Sequence, residues 1–452
     1  MMHYLEMFFY YGILTALVLT IVVFVHEMGH YLMARRFGIK VDAFSIGFGR
    51  ELVGFTDKRG MRWKICLFPF GGFVVLHGEN PPYQNADQMF EAAERDGALW
   101  TRPNWQRALV SFGGPLANFI FTLLLMLFVF SFWGKGVVSP VISAVEIGAG
   151  ADRAGIKVGD EILSIDGQSV PEQFDDVVRM TQESGDALDI EVKRGENILD
   201  FHVNLIVMKE DGDFGEDASR KIMGIVLGNG SWLLEAVNRV DDIETSGQPD
   251  LARQLIVDRL GRDMVVNFGL IKKPGDLQKN YRLHLSEDLN QGLFDPKSAQ
   301  YDSIFYGDHI KMQTKKIGVG QSAVESLIFS WKAIRKTIGV IYQMGVGRKD
   351  AGDLGGVVKI GEMTGGAARQ VDIWGYAVLL KLLAVLSVNI GFLNLLPLPM
   401  LDGGHLVFNL YEAVRGKAPH PKTKAYIMAG SLGFVFAFVI LVNFRDILEI
   451  FY

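Results

Sequence analysis

Four apolar stretches constrain this 452-residue chain more than any other feature. Phe8 to Val25, Ala108 to Trp133, Ile373 to Leu396 and Ala425 to Phe444 each run for 18 residues or more, and Lys381 is the single charged side chain among them. At about 1.5 Å of rise per residue, each can cross about 30 Å of hydrocarbon as a helix. The chain therefore reads as a multi-pass α-helical membrane protein with four transmembrane helices embedded in the lipid bilayer.

The charges give an orientation. Eleven Lys and Arg residues, from Arg35 to Arg107, separate the first two stretches, and Arg415, Lys417, Lys422 and Lys424 separate the last two. The positive-inside rule puts both connections in the cytosol, which leaves the termini and residues 134–372 outside. That outer region carries 28 basic and 37 acidic residues, against 17 and 14 in the remainder. The acidic balance argues against a nucleic-acid binder, which would show a basic face. The single cysteine, Cys66, excludes a disulfide framework and every zinc site built on two or more thiolates. No Lys or Arg precedes the first stretch and no small-residue cleavage site follows it, so it is expected to remain as a span and not to be a cleaved signal peptide.

The first stretch runs directly into His26-Glu27-Met28-Gly29-His30. Four residues make about one helical turn, so His26 and His30 share a face and can chelate one zinc, with Glu27 beside them to take a proton from water. Ionisable groups in apolar sequence are expensive unless they have partners, so their place at the end of a span marks a functional site. A zinc hydrolase needs a third protein ligand. The third stretch ends in Asn394-Leu-Leu-Pro397-Leu-Pro399-Met-Leu-Asp402-Gly-Gly-His405. The two prolines stop the helix, and the freed backbone implies a polar cavity. Counting inward from Ile373 brings Asp402 to the depth of His26 and His30, so it can complete the site. Asn394 is suited to orient a substrate carbonyl, with Pro397 and Pro399 as further substrate-binding candidates. His405 is expected on the surface.

Together these motifs resemble the site-2 protease family of intramembrane zinc metalloproteases, a likeness that extends to Phe44–Gly49, Pro69–Phe73 and Gly113-Gly-Pro-Leu-Ala-Asn118. The resemblance implies Zn2+ held by His26, His30 and Asp402, with Glu27 as catalytic base, in a bacterial inner membrane. It implies single-span membrane substrates of the anti-sigma factor type in an envelope stress response, and signal-peptide remnants besides. It also implies that Lys64 to Leu76, strand-like but broken at Pro69, Gly71 and Gly72, is a membrane-reentrant β-loop. An unwound substrate could add to its edge, which makes Gly71 and Gly72 candidate substrate contacts.

The organisation expected is a first span with the zinc motif (1–37), a cytosolic and reentrant β segment (38–106), a second span (107–133), a PDZ domain (134–210) and a degenerate PDZ-like unit (211–310). A membrane-surface helical segment (311–372), a third span with the Asn/Pro/Asp motif and cytosolic loop (373–424) and a fourth span (425–452) complete it. The PDZ expectation rests on Ala154-Gly155-Ile-Lys-Val-Gly159-Asp160 and the strands around it; the second unit lacks that signature. The tandem pair would act as a size filter. Rival functions are a divalent-metal transporter using the same ligands and a non-catalytic membrane scaffold.

Overall fold

A computed structural model describes residues 2–79, 86–136, 140–170, 174–211, 217–228, 230–269, 279–295, 301, 303–306, 314–346, 357–369, 371, 375–420, 422–433 and 437. The chain divides into two compact units, residues 1–132 with 317–371 and 376–452, and residues 133–316 with 372–375.

The first unit is helical around one β element. Helix α1 (Met2–Arg36) is followed by strands β1 (Val41–Thr56) and β2 (Arg62–Leu76), then helices α2 (Ala86–Arg95), α3 (Asn104–Phe132), α4 (Val319–Gly345), α5 (Val357–Arg369), α6 (Ala377–Asn394) and α7 (Asp402–Arg415). Segments within α1, α3 and α6 are long and apolar enough to cross a membrane. These are three of the four expected spans. Residues 422–433 are helical, but most of the fourth stretch lies outside the described residues. Helix α3 begins at Asn104, four residues before the apolar run, because Arg107 pairs with Glu412 of α7 and Asn104 Nδ2 donates to the Asn409 carbonyl at 2.6 Å.

The β element is more than the single strand-like segment expected at Lys64 to Leu76. Residues 41–46 of β1 pair on one side with 72–76 of β2 and on the other with 62–65, while 51–56 of β1 pair with 62–66. The hairpin thus doubles back into four antiparallel segments whose two free edges are 51–56 and 72–76. Phe44, Ile39, Val41 and Met61 form the core beneath it with Ala34 of α1 and Val110 of α3. Leu52, Val53, Phe55, Leu67 and Phe68 are exposed, an apolar surface that lipid would cover.

Helix α4 lies within the segment 311–372 expected to be helical, and it packs against both α3 and α6 while Val319, Val324, Leu327 and Trp331 face outward. Helix α5, with Gly361, Gly365 and Gly366 among its 13 residues, had no apolar signature to announce it. It joins α1 and α6 in a cluster with Val18, Val22, Leu382 and Leu386.

The second unit holds two cores. One lies between the helix Phe174–Glu183 and a four-stranded sheet in the order 168–169, 161–165, 187–194, 197–204. The other lies under a six-stranded sheet in the order 225–227, 142–146, 279–284, 263–268, 237–240, 243–244, with helix Pro249–Val257. Strand Ile142–Glu146 serves both, sending Ile142 and Val145 into the first core and Ala144 into the second. The division expected at residue 210 does not separate the cores, because Met223 and Leu227 pack in the first. The pairing with 225–227 shifts register between Ala144 and Ile142, and this bulge sends Ile142 and Ala144, which a regular strand would put on one face, into different cores.

Asp160 of the Gly-Asp signature is fully buried and accepts from Arg194 Nε and Nη2, each at 2.7 Å, and from the Lys157 amide at 2.8 Å. The Asp160 hydrogen bonds raise the Arg194 pKa above its ordinary value. Asp160→Ala removes the buried acceptor of a part-exposed arginine and should destabilise the second unit by about 1–3 kcal/mol. Urea titration read by protease resistance of residues 141–204 would check this; an unchanged midpoint would contradict it.

Candidate metal centre

Helical spacing puts His26 and His30 one turn apart on α1, and their rings meet edge to face with centroids 4.8 Å apart. Asp402 opens α7, where the positive end of the helix dipole favours a carboxylate. Gly403 and Gly404 let that helix start fold back on the turn before it: a Cβ on either would collide with the backbone of Leu395–Pro399. This is the place of Pro397 and Pro399. They build the turn and do not line the site.

The three side chains converge as the motif spacing predicts. His26 Nε2 and His30 Nε2 are 3.2 Å apart, His26 Nε2 is 3.0 Å from Asp402 Oδ2, and His30 Nε2 is 3.3 Å from Asp402 Oδ1. Among the described residues they are the only group of three or more His, Cys, Asp or Glu placed to hold a metal ion. Bonds of about 2.0 Å to a tetrahedral centre set ligand atoms about 3.3 Å apart, so the donors fit a zinc ion. Asp402 Oδ2 is buried without a hydrogen bond, an orphan acceptor that a cation would satisfy. His30 Nδ1 donates to the Val110 carbonyl at 2.8 Å; because a carbonyl can only accept, the Nε2 lone pair is left facing Asp402.

These groups line a cavity of about 610 Å³ together with Glu27, Gly71, Gly72, Asn394 and His405. Glu27 is half-buried and shares the cavity wall with Val74 of the free-edged segment of β2. Gly72 lets this segment lie close to β1 and α1: a Cβ there would lie 2.7 Å from the Ser45 carbonyl oxygen and 3.1 Å from Val23 Cγ1. Asn394 Nδ2 is 3.5 Å from His26 Nε2, at the edge of hydrogen-bond range. His405, expected on the surface, is half-buried in the cavity wall, because α7 begins at Asp402 and three residues later the helix presents the same face.

Two features escaped the sequence reasoning. Helix α3 passes directly over the imidazoles, and Gly114 is the position of contact: a Cβ there would strike the rings of both His30 and His26. Asn118, one turn on, is fully buried with its Nδ2 3.3 Å from His26 Nδ1. The Gly-Gly-Pro-Leu-Ala-Asn run was visible, but its register against α1 was not.

The family model described as Peptidase family M50 matches residues 14–439, nearly the whole chain. The chain belongs to peptidase family M50. Its relatives in this family include a protein named as a zinc metalloprotease in Mesorhizobium japonicum, 35% identical over 88% of this chain and 87% of its own. A protein so named in Rickettsia conorii is 31% identical over 96% and 97%. Metalloprotease MmpA of Caulobacter vibrioides is 28% identical over 95% and 93%.

In this M50 chain the contact of α3 with the imidazoles yields a prediction. Gly114→Ala should push the rings apart and weaken divalent-cation binding by about tenfold or more, as loss of a supporting contact does at metal sites. Isothermal titration of the detergent-solubilised chain would check it, and unaltered affinity would show that the helix yields instead.

Proposed function

We propose that this chain is an intramembrane zinc endopeptidase of a bacterial inner membrane that performs regulated proteolysis of single-span membrane proteins. The observation that carries the proposal is the meeting of His26, His30 and Asp402 at 3.0 to 3.3 Å from two segments more than 370 residues apart, with Glu27 in the same cavity. The metalloprotease names of the relatives support zinc and peptide hydrolysis.

His26, His30 and Asp402 would hold the metal. Zinc, when bound, supplies Lewis-acid polarisation of the scissile carbonyl and acidifies the attacking water. Glu27 accepts the proton of that water and returns it to the leaving amine. Asn394, whose Nδ2 lies 3.5 Å from His26 Nε2, aligns the substrate carbonyl. A helical substrate hides its amides in its own hydrogen bonds, so it must be extended before attack. The free edge 72–76 beside Glu27 offers backbone partners for such an extended segment, with Gly71 and Gly72 at its start. This supports the hairpin as the reentrant element that receives the substrate.

The basic connections support cleavage near the cytosolic side, with the termini and residues 134–372 outside. Substrates are of the anti-sigma factor type, with signal-peptide remnants as a second class, cut after an outer domain has been removed. The inserted unit, read as a tandem PDZ pair, acts as the size filter; a chain lacking residues 134–310 should accept substrates that still carry a bulky outer domain.

Glu27→Gln tests the central claim. It should retain zinc and lose cleavage of a single-span substrate by at least about 100-fold, whereas a transporter or scaffold would keep its function. Chelation should abolish cleavage and zinc should restore it. Retained cleavage by the variant would overturn the assignment.

Gly72→Ala tests the substrate edge. The added Cβ presses on Ser45 and on Val23 of α1, and the resulting shift of the edge should slow cleavage by about 10- to 100-fold with zinc still bound. Wild-type rates would remove the hairpin from the mechanism.

A further inference from the structure

The two imidazoles are oriented by different means. The Val110 carbonyl admits one role only, so His30 must carry its proton on Nδ1. His26 Nδ1 faces the Asn118 side chain, and an amide offers either role: Nδ2 donates, Oδ1 accepts, and which of them faces a partner is settled by the partner. In the orientation observed, Nδ2 points to His26 Nδ1 at 3.3 Å while Oδ1 is buried with no hydrogen bond. That arrangement would place the His26 proton on Nε2, aimed between His30 Nε2 and Asp402 Oδ2, where no cation could then be held. Exchanging the amide ends reverses the outcome. The orphan acceptor takes the Nδ1 proton, and the Nε2 lone pair joins that of His30.

Asn118 is well placed to exert this control. It is fully buried, and its backbone carbonyl accepts from Thr122 Oγ1 at 2.9 Å and Ser387 Oγ at 3.1 Å. Helix α6 presses on it at Gly391, where a Cβ would lie 3.0 Å from Asn118 Cβ and 3.2 Å from the Pro115 carbonyl oxygen. The amide is thus gripped by α3 and by α6, the helix that leads to Asp402.

We propose that Asn118 is a positioning residue of the metal centre, its buried side-chain oxygen accepting the Nδ1 proton of His26 and so presenting the Nε2 lone pair to the metal. This rests on the assignment of His26, His30 and Asp402 as zinc ligands. Partners of this kind fix the tautomer and ring of a ligating histidine, and their loss weakens metal binding by about 10- to 100-fold.

The test is a zinc titration of the full chain in detergent against a competing chelator. Asn118→Leu should bind zinc about 10- to 100-fold more weakly, and Asn118→Asp, which keeps an acceptor at the same place, should stay within about threefold of wild type. Equal affinity for Asn118→Leu and wild type, or an equal loss for Asn118→Asp and Asn118→Leu, would overturn the proposal. Should Asn118→Leu fail to fold, histidine-selective 15N NMR of the unaltered zinc-loaded chain decides: a proton on His26 Nδ1 is expected, and a metal-bound Nδ1 would refute it. His26→Ala serves as the separate control, since undiminished zinc affinity there would refute the ligand assignment itself and not the role of Asn118.

Discussion

Everything in the helical unit is arranged around one constraint: two imidazoles and a carboxylate must face each other within about 3 Å in surroundings that give polar groups little else to bond. Unpaired, such groups would oppose burial by several kcal/mol. Here each is tied from behind or from the side. His30 is tied to the backbone of α3, His26 faces the amide of Asn118, and Asp402 sits on a helix start whose dipole favours its charge. The same ties that satisfy the ligands by their far atoms leave their near atoms aimed at a common point.

Bringing three helices that close needs backbones that can approach, and in lipid there is little hydrophobic drive to force them. Small residues supply the approach. Gly29 of α1 and Gly113 of α3 stand against each other's carbonyls, Gly114 leaves room for the rings, and Gly391 admits Asn118. The pattern assigns a role to glycines that otherwise lower helix propensity. The close packing is worth more here than the propensity lost, because it fixes the separations on which ligand geometry depends.

What the sequence made legible follows the range of the interaction. His26 and His30 are four residues apart, so helical periodicity alone put them on one face, and segment length alone brought Asp402 to their depth. The spans in α1, α3 and α6 were plain from their apolar runs. Features that depend on pairing between distant segments were not plain. Residues 41–56 have the composition of a strand, yet their double pairing with 62–76 is a matter of register, which neither composition nor turn residues specify in a bulged hairpin. Nothing local to Ile142–Glu146 announces that one bulged strand closes two cores. Asn118 acts on a residue 92 positions away, and His405 was placed on the surface because nothing local distinguishes a helix start that faces a cavity from one that faces water.

The hairpin edge and the metal centre pose one further physical question, which is how water reaches a site built into apolar sequence. Glu27 lines the same cavity as Gly72, Val74 and Leu76, so the carboxylate and the free edge 72–76 are parts of one surface. The cavity wall joins apolar Val23, Val74 and Ile390 to His405, Arg107 and Lys424, so one space carries both apolar and charged lining. In the proposed reaction an extended segment on that edge would bring its exposed amide to this polar lining, and Glu27 would gain a polar neighbour from the substrate itself.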